Sequence, residues 1–230
     1  MRNNLLLHLP FSYGAARAIR KAALAFVLIC MSSNASLAGS LRILAFGDSL
    51  TQGYGLMEAD GLVPQLQAWL NTHEAAVTVV NGGVSGDTTA GGAARIDWSL
   101  SPDIGAVMIA LGGNDMLRGL APSEAKANLT KIVEAVQGAG LPVLLIGMQA
   151  PGNYGAEYKA EFEGLYAELA EDYGTLYEPQ FLGALGQVPA EALVWMQSDG
   201  IHPNEEGVLK IVEALGPRVL ELAEMAASKE

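Results

Sequence analysis

The chain has 230 residues, half of them hydrophobic, and carries a net charge of −12 because 25 acidic side chains outnumber 13 basic ones. A chain of this length forms one domain with room for a full hydrophobic core. Its acidic balance disfavours nucleic acid and anionic lipid headgroups as partners, since both would be repelled. The lone cysteine, Cys30, excludes an intramolecular disulfide.

The first 38 residues have the pattern of a secretory signal peptide. Four basic residues precede a ten-residue apolar run at 22–31, and Ser36-Leu37-Ala38 places small residues at the positions that determine cleavage. Ten apolar residues are too few to cross a bilayer, which takes about 20; an uncleaved anchor is the alternative. We therefore predict a signal peptide at 1–38, export across the inner membrane, and a mature domain at 39–230 without stable membrane insertion. The expected destination is the periplasm, with the external medium as the alternative.

After residue 38, short apolar runs alternate with longer segments of helical periodicity. Runs rich in Val, Ile and Leu predict five strands, at 41–46, 76–80, 104–111, 143–147 and 175–177. Apolar residues at helical spacing predict helices at 62–70, 93–100, 125–137, 157–172 and 205–227. Ser123 is the predicted cap of the third helix. Near-continuous apolar strands are typical of a parallel sheet buried between two helical layers, so the pattern predicts a three-layer α/β sandwich.

Glycine-rich polar motifs follow the first three predicted strands. Gly47-Asp48-Ser49 follows the first strand, a Gly/Ser/Thr loop at 82–92 follows the second, and Gly112-Gly113-Asn114-Asp115 follows the third. Ligands of such sheets bind at the carboxyl ends of the strands. We therefore expect the three motifs to converge on one edge of the sheet.

Ser49, Asp199 and His202 are the candidates for a catalytic Ser-His-Asp group. A serine that acts as a nucleophile near neutral pH needs a base, and imidazole is the usual one. Of the three histidines, His8 falls within the predicted signal peptide, and of the other two we take His202, which follows Asp199 by three positions, as the base. Taken singly, Ser49 is better explained as a helix cap and His202 as a surface residue. Their combination with the glycine-rich motifs favours catalysis.

Gly86 and Asn114 are the candidate donors of an oxyanion hole. Glycine lets the backbone approach a ligand closely, and Asn114 offers a side-chain amide after two glycines. Turn formation is the alternative explanation for both. The G-x-S-x-G motif of α/β-hydrolases does not occur in the chain, so a nucleophilic Ser49 would belong to a different scaffold.

Four sequence blocks carry these candidates in order along the chain. They are Phe46-Gly47-Asp48-Ser49-Leu50-Thr51, Asn81-Gly82-Gly83-Val84-Ser85-Gly86-Asp87-Thr88, Leu111-Gly112-Gly113-Asn114-Asp115 and Asp199-Gly200-Ile201-His202-Pro203-Asn204. In this order they resemble the GDSL, or SGNH, hydrolases over essentially the whole chain after residue 38. The resemblance implies a flavodoxin-like α/β/α sandwich with a five-stranded parallel sheet. It also implies Ser49 as nucleophile, His202 as base, Asp199 as its partner, and an oxyanion hole of the Ser49 and Gly86 N–H groups and the Asn114 amide.

Asn153-Tyr154-Gly155 and Trp195-Met196-Gln197 are similar to the periplasmic thioesterase, lysophospholipase and arylesterase branch of that family. This similarity implies hydrolysis of aryl esters, acyl esters, thioesters and lysophospholipids without a metal or organic cofactor. A monomer is the expected state. Two loops are then expected to contact the substrate, through Met116, Leu117, Pro151, Asn153 and Tyr154.

Three other functions are open at this point. A carbohydrate acetyl esterase of the same superfamily would share every catalytic residue. A metal-dependent phosphoesterase would use carboxylates as ligands, although two histidines leave few ligands for a transition-metal pair. A secreted protein that binds acyl ligands without turnover would leave the combination of serine, histidine and aspartate unexplained. The carboxylates that could serve as metal ligands are Asp48, Asp87, Asp97, Asp115 and Asp199.

Overall fold

The computed structural model describes residues 40–186 and 188–228, and the predicted signal peptide lies outside them. A five-stranded, fully parallel sheet forms the centre, with the strand order β2-β1-β3-β4-β5. This is the order of flavodoxin-like sheets, and it confirms the predicted fold class. The strands are β1 (Leu41–Gly47), β2 (Val77–Gly83), β3 (Ala106–Ala110), β4 (Val143–Ile146) and β5 (Leu176–Glu178).

Helices surround this sheet in two groups. They are α1 (Ser49–Gln52), α2 (Leu62–Thr72), α3 (Thr89–Ser99), α4 (Gly113–Leu117), α5 (Pro122–Gly138), α6 (Ala156–Tyr173), α7 (Pro189–Ala192) and α8 (Glu205–Ala227). Helix α2 packs against α8, which contacts β1, β3, β4 and β5, whereas α3 packs against α5 and α5 against α6. Short 3₁₀ turns occur at Glu58–Asp60, Gly152–Tyr154, Gly183–Leu185 and Leu193–Trp195. None of the described helices is long and apolar enough to cross a membrane.

The three central strands carry most of the buried surface of the sheet. Every residue of β3 and β4 is buried, and so is β1 from Ile43 to Gly47. The outer strands β2 and β5 are partly exposed. The unbroken apolar runs of the central strands therefore reflect burial on both faces, as expected for a parallel sheet.

Strand β2 is longer than we predicted, because two glycines that we assigned to a loop belong to it. Gly82 and Gly83 pair with Phe46 and Gly47 of β1, so the strand continues beyond residue 80. A Cβ atom on Gly83 would overlap the backbone nitrogen of Gln52. This last glycine of the strand therefore permits two backbone segments to approach closely.

Two helix starts also differ from the predictions. Helix α3 begins at Thr89 and not at residue 93, since the Thr88 hydroxyl accepts the Gly91 N–H at 3.3 Å. Helix α5 begins at Pro122, and no side chain caps it, so the predicted cap at Ser123 is wrong. Proline is favoured in a first helical turn because the N–H that it lacks would have no partner there.

Candidate active site

Ser49 is the first residue of α1, directly after the turn that leaves β1. The preceding residue, Asp48, caps this helix, because its Oδ1 accepts the Leu50 N–H at 3.0 Å. The Ser49 hydroxyl is therefore not used as a cap, and its side chain lies at a cavity wall. Gly47 is required for this tight turn, since a Cβ there would overlap the Thr51 hydroxyl and lie 2.9 Å from the Ala110 carbonyl oxygen.

The structure brings Ser49, His202 and Asp199 into one hydrogen-bonded series. The Nδ1–H of His202 donates to Asp199 Oδ2 at 2.7 Å, which leaves Nε2 free to accept the Ser49 hydroxyl at 2.8 Å. This tautomer is the one that the hydrogen-bond network assigns. The imidazole can therefore take the serine proton.

Asp199 is held by more than the imidazole. Its Oδ1 accepts the backbone N–H groups of Ile201 and His202 at 2.9 and 3.0 Å. Desolvation acts to raise the pKa of Asp199, but these N–H groups and the His202 ring outweigh it and lower the pKa to about 2. Asp199 is thus an anion near neutral pH. By contrast, His73 donates from Nδ1 to the Trp69 carbonyl at 2.9 Å and stacks on the Trp69 ring, which gives it a structural role.

Two residues that the sequence analysis did not single out as site residues hold the His202 loop in place. The Gln197 N–H donates to the His202 carbonyl at 2.7 Å, and the Gln197 side chain donates to the carbonyls of Tyr54 and Pro203 at 2.8 and 3.0 Å. The Tyr54 ring lies 4.7 Å from the His202 ring. These contacts join two segments far apart in sequence, so no local pattern could have indicated them.

Gly86 and Asn114 line the same cavity as Ser49. Gly86 has a φ of +77°, in the left-handed region that favours glycine. The Asn114 side chain donates from Nδ2 to Asp48 Oδ2 at 3.1 Å. The three predicted strand-end motifs therefore do converge on one edge of the sheet.

Arg95 of α3, which the sequence analysis missed, ties these strand ends together. Its guanidinium donates to Asp87 Oδ2 at 2.7 Å and to the carbonyls of Gly82 and Gly47, each at 2.9 Å. It also lies over the Phe46 ring, 3.9 Å from the centroid. One side chain thus fixes the loop that carries Gly86 against the ends of β1 and β2.

The cavity beside Ser49 has a volume of about 540 Å³ and mostly apolar walls. Met116, Leu117 and Pro151, three of the predicted substrate contacts, line it. Its other apolar side chains include Leu50, Met148, Leu182, Met196 and Ile201.

Two predicted substrate contacts, Asn153 and Tyr154, do not line this cavity. They belong to the 3₁₀ turn Gly152–Tyr154, and the Tyr154 ring stacks on Tyr158 at 5.3 Å. Tyr154 instead borders a separate depression beside the start of α6. Substrate contact by Asn153 and Tyr154 therefore stays a prediction, although neither residue borders the cavity beside Ser49.

The carboxylates considered as metal ligands do not converge. Asp87 pairs with Arg95, while Asp115 accepts the backbone N–H and the hydroxyl of Thr89 at 2.8 and 2.6 Å. Within residues 40–186 and 188–228, no three His, Cys, Asp or Glu side chains are grouped closely enough to hold a metal ion. The carboxylates therefore give the phosphoesterase alternative no structural support.

A serine hydroxyl, an imidazole and a carboxylate in series, at the strand ends of a flavodoxin-like sandwich, define the class of serine hydrolases. The family model described as "GDSL-like Lipase/Acylhydrolase family" matches residues 45–208. The chain belongs to this family of ester hydrolases, which confirms the resemblance found in the sequence.

Individual relatives agree with this assignment. Esterase TesA of Pseudomonas aeruginosa is 38% identical over 78% of this chain and 88% of its own length. Thioesterase 1/protease 1/lysophospholipase L1 of Escherichia coli K12 is 34% identical over 86% of this chain and 85% of its own length. The crystal structure of AlinE4, an SGNH-hydrolase family esterase, superposes with a TM-score of 0.67 at 43% identity and covers 81% of this chain and 98% of AlinE4.

Proposed function

We propose that the protein hydrolyses acyl esters through an acyl-enzyme formed on Ser49. The observation that carries this proposal is the hydrogen-bonded series from Ser49 through His202 to Asp199. Ser49 Oγ bonds to the ester carbonyl carbon while its proton passes to His202 Nε2, which then protonates the departing alkoxide or thiolate. Water, deprotonated by His202, next attacks the acyl-serine and releases the acid. Asp199 keeps the imidazole in the required orientation and stabilises its charged form.

We further propose that the Ser49 and Gly86 backbone N–H groups and the Asn114 amide bind the oxyanion of each tetrahedral intermediate. The three residues border the cavity together, next to the nucleophile. Donors already in place before the reaction stabilise the developing charge without reorganisation. Loss of one such donor in a serine hydrolase costs about 3–4 kcal/mol of transition-state stabilisation.

For the substrate, we propose medium-chain acyl groups held against the apolar wall. The cavity volume of about 540 Å³ lies within the range of small-molecule sites and exceeds what an acetyl group needs. The apolar lining therefore favours lipid-type esters over the carbohydrate acetyl esters that the sequence left open. The names of the two relatives above include esterase, thioesterase and lysophospholipase, so we extend the proposal to thioesters and lysophospholipids.

We also propose that residues 1–38 are a signal peptide and that the domain works as a monomer in the periplasm. The support is the sequence pattern of basic, apolar and small residues before position 39. N-terminal sequencing of the protein exported by a Gram-negative host would test the cleavage site.

The function is tested with p-nitrophenyl esters from acetate to palmitate. We expect turnover with an optimum at medium chain length, and its loss in Ser49→Ala, because no other hydroxyl occupies the position facing His202. Ser101→Ala is the matched control, since Ser101 lies in an exposed loop and bonds to Asp103.

Three outcomes would contradict this proposal in different ways. Full activity of Ser49→Ala would remove Ser49 as nucleophile. An optimum at acetate would favour the carbohydrate acetyl esterase. Binding of acyl ligands without turnover at any chain length would indicate a binding protein.

A further inference from the structure

Asp48 directly precedes the proposed nucleophile and is only 1% exposed, although it is an acidic residue. Its Oδ1 caps α1 by accepting the Leu50 N–H, and its Oδ2 accepts the side-chain N–H of Asn114 at 3.1 Å. Capping needs one oxygen, and serine or threonine would serve that purpose equally well. Helix capping therefore does not account for the hydrogen bond between the Asn114 side chain and Asp48 Oδ2.

This second bond determines which atoms the Asn114 carboxamide presents to the cavity. An NH2 group has two N–H bonds, so the one donated to Asp48 leaves the other free. An ionised carboxylate only accepts, and it therefore distinguishes the amide nitrogen from the amide oxygen. Rotation of the carboxamide by half a turn would place its oxygen against the carboxylate and carry both N–H bonds away from the oxyanion.

We propose that Asp48 is a positioning residue, which holds the Asn114 carboxamide with one N–H directed at the oxyanion. This inference rests on the proposed function, because it takes Asn114 as an oxyanion donor. Asp48 acts through Asn114 and not on the reacting atoms. Its burial beside Asn114 keeps water from competing for the same N–H.

Protonation of Asp48 removes the acceptor-only carboxylate that selects the amide nitrogen of Asn114, so the orientation of the carboxamide is no longer fixed. Burial raises the pKa of Asp48 to about 6, against the opposing effect of its hydrogen bonds. The protonated carboxyl is a donor and can pair with the amide oxygen of the rotated Asn114. The other titratable groups within electrostatic reach of Asp48 are His202, Asp87 and Tyr166.

An ionised Asp48 also has a cost, because its negative charge repels the developing oxyanion. The proposal therefore requires a net decrease in kcat in Asp48→Asn: the decrease from misorienting the Asn114 amide must exceed the increase from removing the negative charge. In that variant the new amide oxygen can still cap α1, so the fold is retained. Its NH2 group then faces the NH2 group of Asn114, which favours the rotated carboxamide.

A double-mutant cycle on p-nitrophenyl butyrate tests the inference, with wild type, Asp48→Asn, Asn114→Ala and the double variant. We expect Asp48→Asn to lower kcat by about tenfold or more and to change KM by less than about twofold, since the oxyanion bond forms in the transition state. In the Asn114→Ala background, the same substitution should change kcat by less than about twofold. Equal factors in both backgrounds, or a faster Asp48→Asn enzyme, would overturn the inference.

The pH profile is a readout that a purely structural role would not change. Protonation of Asp48 should contribute to the acid limb of kcat/KM in wild type, and this contribution should be absent in Asp48→Asn. Acid limbs of equal slope would count against the inference.

Two controls keep these results separate from misfolding and from failure of the proposed function. Asp48→Ser, which retains a helix cap, takes the place of Asp48→Asn if that variant folds poorly, and it should show the same loss of kcat. If Ser49→Ala were fully active, the proposed function itself would fail; an inactive Ser49→Ala with an unaffected Asp48→Asn would reject only the present inference.

Discussion

Two aspartates beside Ser49 occupy opposite environments. Asp48 lies in the turn after β1, where it is buried and accepts a hydrogen bond from Asn114 of α4, and burial raises its pKa to about 6. Asp199 lies on the loop before α8 with 37% of its side chain exposed, and hydrogen bonds lower its pKa to about 2.

The difference shows how one chemical group can serve two purposes in one site. Asp199 accepts two backbone N–H groups and the imidazole N–H, so its charge is stabilised and is available to His202 at any working pH. Asp48 accepts two N–H groups but pays a larger cost of desolvation, so its charge is present only above about pH 6. The exposed carboxylate thus stays charged beside His202, whereas the charge of the buried one can respond to pH.

The largest expected effect is the loss of activity in Asp199→Asn, which removes the charge of the more exposed aspartate. A neutral amide does not select the tautomer with Nε2 free, so we expect kcat/KM to fall by about 10³–10⁴-fold. The melting temperature should also fall modestly, because the lowered pKa of Asp199 means that its charge stabilises the fold, although partial exposure reduces this contribution. Asp103→Asn, at an exposed ion pair with Arg42, is the control for loss of a carboxylate. A decrease of less than about tenfold in Asp199→Asn would contradict the assigned role.

An intermediate effect is expected for the free energy of unfolding of Asp48→Asn, which removes the charge of the buried aspartate. A native pKa of about 6 against 3.8 for the ordinary carboxyl means that ionised Asp48 destabilises the fold above pH 6, by up to about 3 kcal/mol. This cost declines as the pH falls from 6 to 4 and is absent below that range. Asp48→Asn should therefore be more stable than wild type at pH 8, with the difference disappearing near pH 4.

Denaturant unfolding at the two pH values measures this difference. The lost hydrogen bond to Asn114 offsets part of the gain, by about 1 kcal/mol. A variant that is less stable than wild type at pH 8 would show that Asp48 contributes mainly to folding.

The smallest expected effect concerns the cavity wall, and the same measurement tests the predicted substrate contact at Tyr154. Leu117 lines the cavity and is half exposed, so Leu117→Trp should narrow the site and lower kcat/KM for long acyl chains by about three- to tenfold relative to short ones. Tyr154→Ala should leave the chain-length profile unchanged, because Tyr154 lies outside the cavity lining. The p-nitrophenyl ester series reports both. A shifted chain-length profile in Tyr154→Ala would support Tyr154 as a substrate contact.

Local sequence was informative where a residue's neighbours along the chain are also its neighbours in space. Asp199 and His202 are three positions apart, and one tight loop joins them through both backbone and side chain. The helix Glu205–Ala227 was predicted with its observed bounds, because Asn204 caps it and its apolar spacing is regular. Gly82 and Gly83 were misassigned to a loop because glycine in a strand has the same local signature as glycine in a turn.

The sequence by itself determined the order of strands and helices along the chain, the polar motifs after β1, β2 and β3, and the family. Strand burial and the parallel arrangement follow from composition and spacing, which are local properties. Only the tertiary structure decided that Gln197 reaches Tyr54, that Arg95 joins the ends of β1 and β2, and that Asp48 meets Asn114. Each of these contacts depends on the packing of segments that are distant along the chain, and no spacing rule encodes the direction in which such side chains point.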